Sequence, residues 1–230
     1  MEKELREKLD ELLQKPLEKL NEKNVQETFN EIAEKLFNNF VLKCGNKTFR
    51  FAEIELYYFK ENEMDKKWNE ITYERDGYNL GDLFFHLSGM DICFNSKLTK
   101  KNGKMFGHGG GILVRSILEI KKDEDNPKDN YEVTVGPLTC VNKMLNACKG
   151  EKMPELKFVS GHNCTPQNTY RYLGETDFNA IENDKNKDGN LKLAFYDPDI
   201  DEKMWTKARS SYYSKRLKRY DNKLTHIESH

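Results

Sequence analysis

The sequence predicts an α+β fold: a curved, largely antiparallel sheet with helices packed against it and a helical extension at the N-terminus. Three observations carry this. Apolar residues recur at helical spacing over residues 2–40 and again after Pro137. Residues 40–58 and 112–120 read as strands, rich in Phe, Tyr, Ile, Leu and Val. Gly45-Asn46 supplies a tight turn between the first two strands, which makes them an antiparallel hairpin.

The elements follow in order. Leu5, Leu9, Leu12, Leu13, Leu17 and Leu20 share one helical face, and Pro16 should kink or divide that helix. Asn24 can cap a second helix that buries Val25, Phe29, Ile32, Leu36 and Phe40. Strands are expected at 40–44 and 48–58. A polar stretch runs from 60 to 82, and a long apolar segment at 83–95 is interrupted by Gly89. Gly103 and the run Gly107 to Gly111 are expected to enclose a basic loop. A buried strand at 112–120, a charged turn at 121–130 and a strand at 131–135 lead to Gly136-Pro137. Pro137 suits the first turn of a helix that buries Leu138, Val141, Met144, Leu145 and Cys148. Short strands are expected near 169–173 and 191–196, and a helix from about 200 to 220.

Composition narrows the classes. The 230 residues carry a formal net charge of -1, with 33% charged and 37% apolar residues. Near neutrality argues against a dedicated duplex binder, which normally carries a basic excess. The 11% of aromatics offset the low apolar fraction, because each ring buries a large area. No apolar run reaches the roughly eighteen residues of a membrane span. The charged start MEKELREKLDELL is not a signal peptide. An odd count of five cysteines without a CxxC pair fits a reducing compartment and core packing. A cytoplasmic location follows, or a nuclear one in a eukaryote.

The segment Phe49 to Tyr58 holds the chemistry. Simple alternation puts Phe49, Phe51, Glu53, Glu55 and Tyr57 on one face, and Arg50, Ala52, Ile54, Leu56 and Tyr58 on the other. Two carboxylates in so apolar a strand must be paired with a cation, bind a metal or be perturbed for catalysis. A solvated face with Glu53 or Glu55 paired to a Lys or Arg is the structural alternative.

The run Glu53-Ile-Glu-Leu-Tyr57 resembles the E-x-E-A-Y motif of the alkyladenine (3-methyladenine) DNA glycosylase family. Phe85-His-Leu-Ser-Gly-Met-Asp-Ile-Cys-Phe-Asn95 is similar to that family's Y-x-x-Y-G-M-x-x-x-x-N, with Gly89, Met90 and Asn95 matching. Ile112-Leu-Val-Arg-Ser-Ile-Leu-Glu119 looks like its V-L-I-R-A-x-E-P and matches Arg115 to the family's arginine. Gly136-Pro137 resembles the G-P-x-x-L helix start. The four blocks stand in family order over roughly residues 29–145.

The resemblance implies a monofunctional, monomeric DNA N-glycosylase that needs no cofactor or metal. It would excise an alkylated or deaminated purine from DNA carrying the damaged base. Glu55 would be the general base that activates water. Arg115 would supply positive charge beside it and hold the water or a phosphate. Tyr57 and Phe85 would sandwich the extruded base, and Asn95 would read its edge. Asn69 is the nearest counterpart of a base-contacting histidine. Ser88 falls where the family carries an intercalating tyrosine, and serine cannot wedge between bases. Met90 and the lysines Lys100, Lys101 and Lys104 are the remaining candidates for DNA contact. A non-catalytic relative that binds a nucleotide or a protein is the alternative function, and Glu53 with Glu55 as metal ligands of an unrelated hydrolase is a third. The chain is expected to form one domain over 1–230, with an N-terminal helical extension at 1–24, the glycosylase-like core at 25–148 and a part of unread role at 149–230.

Three further motifs are weaker. Asp184, Asn186, Asp188 and Gly189 start like a calcium loop, but Phe195 stands where the closing Glu belongs, so an Asp-Gly turn is expected. His162, Cys164, Cys140 and Cys148 lack zinc spacing. Basic and aromatic residues interleave over 203–219, as in an amphipathic helix or a nucleic-acid surface. His86 reads as a core or sheet-surface histidine, near the site only if the second block shifts by one residue.

Overall fold

The computed structural model describes residues 7, 10–11, 25–60, 77–102, 104–120, 132–159, 163–172, 191–198, 200 and 203–204. Among the described residues the helices α1 (Val25–Asn39) and α2 (Pro137–Cys148) accompany ten strands. These are β1 (Phe40–Cys44), β2 (Lys47–Lys60), β3 (Leu83–His86), β4 (Gly89–Cys93), β5 (Lys97–Lys101), β6 (Lys104–Ile120), β7 (Glu132–Val135), β8 (Glu155–Phe158), β9 (Gln167–Tyr172) and β10 (Leu191–Tyr196). Every pairing among them is antiparallel, and the sheet curls. The α+β class and the antiparallel sheet expected from the sequence are therefore present.

Two long strands, β2 and β6, form the spine, paired from Thr48↔Ile120 to Lys60↔His108. Along the far side of β6 lie three short strands end to end: β5 on Lys104–His108, β4 on Gly111–Leu113 and β7 on Ser116–Glu119. Along the far side of β2 lie β1, which continues to β8, and β10, which continues to β9. Segments after residue 150 thus complete the same sheet.

Both helices cover one face of the sheet. Phe29, Ile32, Ala33, Leu36 and Phe37 of α1 recur at the spacing of a single helical stripe and are all buried. From α2 come Cys140, Val141, Met144, Ala147 and Cys148, whereas Leu138 of the expected set is exposed. These residues meet Phe49, Phe51, Ile54, Leu56, Ile112, Val114 and Ile117 in one core. On the opposite face a second, smaller cluster joins Ala52, Leu118, Val135 and Ile200. All five cysteines are buried and unoxidised. Burial and the neighbouring Cys148 thiol push Cys44 up to about 12, so it packs as a small apolar residue.

Two expectations for the chain around residue 100 need correction. The basic segment is not a loop: β5 and the start of β6 form a hairpin turning at Asn102. Gly107 to Gly111 is not a flexible loop end but part of β6. Gly110 shows why glycine is needed there. A Cβ at that position would collide with the Tyr57 carbonyl oxygen and crowd the Phe94 ring and Tyr58 Cα. The N-terminal leucine helix, the 184–190 motif and most of the 203–219 stretch lie outside the described residues.

Candidate active site

The alternation of β2 is broken in the middle. Phe49 and Phe51 point into the helix-covered core, yet so do Ile54, Leu56 and Tyr58. The step from Phe51 to Ile54 is three residues instead of two. Strand β6 does the same, since Val114 and Ile117 both face that core. The register records the irregularity at this level, where Glu53 pairs with Ser116 while Ala52 and Arg115 are left out of the ladder. Each strand carries an extra residue, as in a bulge, and the two bulges lie side by side. Glu53, Glu55 and Tyr57 therefore share the face opposite that core with Ala52 and Arg50. They do not share a face with Phe49 and Phe51, which corrects the face expected from strict alternation.

Arg115 stands at the centre of that face. Its Nη1 lies 2.6 Å from Glu55 Oε2 and its Nε 3.4 Å from Glu53 Oε1. Glu53 also accepts a 3.0 Å hydrogen bond from Ser116 Oγ, its cross-strand partner. Both carboxylates are 2% exposed, whereas the Arg115 side chain is 19% exposed. A buried carboxylate needs a compensating charge, and one guanidinium with five N–H donors supplies it to two. Arg115 is also the member of the cluster that a solute would meet first.

A second set joins from the neighbouring strands. Glu55, Leu113 and Asp91 stand in one row across β2, β6 and β4, and Phe84 of β3 extends it. The next row along β2 is Tyr57, Gly111 and Cys93. Because Gly111 has no side chain, the Tyr57 ring can lie across β6, and its hydroxyl donates to Asp91 Oδ2 two strand spacings (about 10 Å) away. Asp91 is itself buried, and His86 Nε2 approaches the same oxygen at 3.2 Å. His86 Nδ1 accepts the Ser88 N–H at 3.2 Å, so a neutral ring carries its proton on Nε2, facing Asp91. Phe84 stacks on His86 at 5.6 Å, and Tyr78 meets Phe84 edge-on at 4.9 Å.

The structure thus brings Glu55, Arg115 and Tyr57 together, with Glu53 beside them. Other expected members fall elsewhere. Phe85 alternates away from Phe84 and His86 and packs against the helix-covered core, so it is not opposite Tyr57. Met90 is buried in that core and is not placed to touch DNA. Ser88 is exposed in the β3–β4 turn, and Asn95 is exposed in the bend after β4, four residues along from Asp91. Asn69 lies outside the described residues, as do the side chains of Lys100 and Lys104; Lys101 is exposed. Asp91 and His86 are the members that the motifs did not single out. The signal for Asp91 was present, since it is the lone acid in the apolar run 83–95.

The cluster does not resemble a metal centre. Among the described residues no group of three or more His, Cys, Asp or Glu side chains is arranged to hold an ion. Arg115 already occupies the position between Glu53 and Glu55 that a cation would take.

No protein-family model and no solved structure matches the chain. An uncharacterized protein of Acanthamoeba polyphaga mimivirus is similar to it, 28% identical over 149 aligned residues that cover 57% of this chain and 62% of the viral protein. The chain therefore spans less than two thirds of the length of the curated relative it matches. No helix among the described residues is long and apolar enough to cross a membrane.

Proposed function

We propose that the sheet face opposite the main core is a hydrolytic site that excises an alkylated or deaminated purine from DNA, with Glu55 as the general base. The observation that carries this reading is the pair formed by Glu55 and Arg115. Two residues matched to a glycosylase motif, 60 positions apart, meet at 2.6 Å on adjacent strands. Hydrolysis of an N-glycosidic bond needs a base to take a proton from water, and Glu55 has that chemistry. Arg115, more exposed than either carboxylate, can orient the water or hold the flanking phosphate. Tyr57, whose ring belongs to the same cluster, offers a surface for a base to stack on. Among the described residues no lysine stands in the cluster, so the reaction expected is base release without strand cleavage.

The test is an excision assay on duplex and single-stranded oligonucleotides, each carrying hypoxanthine or an alkylated adenine. Glu55→Gln should lower the rate at least about a hundredfold, the low end for a lost general base, with the fold retained. Wild-type turnover in Glu55→Gln refutes the assignment. One observation favours a second reading, a non-catalytic relative that binds a nucleotide or a protein. Glu55 is only 2% exposed, and Ser88 offers no wedge to extrude a base. Binding of a nucleotide with no base release from any of the four substrates would support that reading.

A further inference from the structure

We propose that the β5–β6 hairpin is a binding element for single-stranded nucleic acid, in which two basic rows hold phosphates and Phe106 stacks on a base. The inference goes beyond the proposed excision and stands on the hairpin alone. In a chain of net charge -1, residues 92–118 contain no Asp or Glu, yet they hold Lys97, Lys100, Lys101, Lys104, His108 and Arg115. The hairpin arranges part of that charge in register. Lys101 stands opposite Lys104, Thr99 opposite Phe106, and Lys97 opposite His108, which is in turn opposite Lys60 of β2.

The aromatic row lies between the two basic rows. With about 3.3 Å per residue, the basic rows are about 13 Å apart and Phe106 is midway. Lys97, Thr99, Lys101 and Phe106 are all exposed. The last β2–β6 pair is Lys60↔His108, so among the described residues the two outer rows have only each other as sheet neighbours. A projecting two-stranded ribbon with a solvent-facing phenyl ring contributes nothing evident to the core. Lysines alone would suit any polyanion. A ring set between them selects for a partner with alternating charge and flat apolar surface, which is the description of an unpaired strand. A duplex hides its base faces and offers Phe106 nothing to stack on.

The experiment measures binding of a fluorescent oligothymidylate, and of a duplex of the same length, by anisotropy at low and moderate salt. Each phosphate neutralised on a single strand adds about 0.7 to the salt slope. Three contacts from Lys97, Lys101 and Lys104 then weaken binding about twentyfold between roughly 50 and 200 mM salt. The triple variant Lys97→Gln, Lys101→Gln, Lys104→Gln should lose most of that dependence. Phe106→Ala should weaken binding at least about fivefold at every salt concentration and leave the slope unchanged, because stacking is not an ionic term. Circular dichroism confirms that each variant is folded. The inference is overturned if the wild type does not bind at low salt, if the triple variant keeps the slope, if Phe106→Ala binds like the wild type, or if duplex binds as tightly as single strand. Failure of excision with intact strand binding would remove the catalytic reading and leave this one standing.

Discussion

Replacing Arg115 by methionine keeps the length of the side chain and removes its charge. Two carboxylates then remain at 2% exposure with their shared guanidinium gone. Removing one partner of a buried ion pair costs about 3–5 kcal/mol, because the charge left behind is neither paired nor hydrated. Ser116 still donates to Glu53 at 3.0 Å. At about 2–4 °C per kcal/mol for a chain of this size, the melting temperature should fall by about 6–20 °C. Urea unfolding monitored by circular dichroism measures the loss directly. The triple variant Glu53→Gln, Glu55→Gln, Arg115→Met removes all three charges of this group and should recover most of the loss. A loss under about 1 kcal/mol in Arg115→Met, or an equal loss in the triple variant, would show that Arg115 is not the counter-charge that allows these carboxylates to be buried.

Gly110→Ala should destabilise the protein by at least about 2 kcal/mol, since its Cβ would press on backbone atoms of β2 that cannot move aside; wild-type urea midpoints would contradict this. Burial raises the Glu119 carboxyl, but Lys47 at 2.6 Å and Lys143 at 3.4 Å outweigh it and hold the group below its usual value of 4.5. Its stabilisation is thus present at neutral pH and lost as pH falls through the depressed value, so Glu119→Gln should cost up to about 1 kcal/mol at pH 7 and nothing near about pH 2. With Ser88 exposed in the β3–β4 turn, Ser88→Tyr should strengthen duplex binding and leave single-strand binding nearly unchanged; no change on duplex would mean that another side chain already fills the stack.

Much of this architecture was legible because it rests on local rules. The Phe29, Ile32, Leu36 stripe, the Gly45-Asn46 turn and the Gly136-Pro137 helix start each depend on a few adjacent residues. The meeting of Glu55 with Arg115 was expected from the resemblance, whose first and third motif blocks hold the two residues, and two carboxylates in so apolar a strand also called for a cation. The glycine run was misread for a definite reason. Glycine commonly marks a turn, but here Gly110 and Gly111 are needed where Phe94 and Tyr57 cross the backbone of β6. Asp91 and His86 were missed because their value lies in cross-strand registration. Nothing within β3 or β4 alone says that Asp91 stands in the row of Glu55, on the far side of β6.

The paired bulge explains how one strand can be both core and site. Under strict alternation, Phe49, Phe51, Glu53, Glu55 and Tyr57 would share a face, and burying that face under the helices would bring both carboxylates into the apolar core. An extra residue in β2 alone would shift its register against β6, so that one half of the spine would pair wrongly. Adding a residue to both strands at the same level avoids this. The pairing offset is the same above and below, from Phe51↔Ile117 to Ile54↔Val114, while the side-chain faces exchange. Phenylalanines below the bulge and Ile54, Leu56 and Tyr58 above it can then fill one continuous core. The acids and Arg115 are delivered together to the opposite face, where Ala52, the smallest side chain of the stretch, leaves room against Leu118 and Val135. Because Arg115 is the residue displaced from the β6 ladder, the irregularity that turns the carboxylates outward also carries the guanidinium to them.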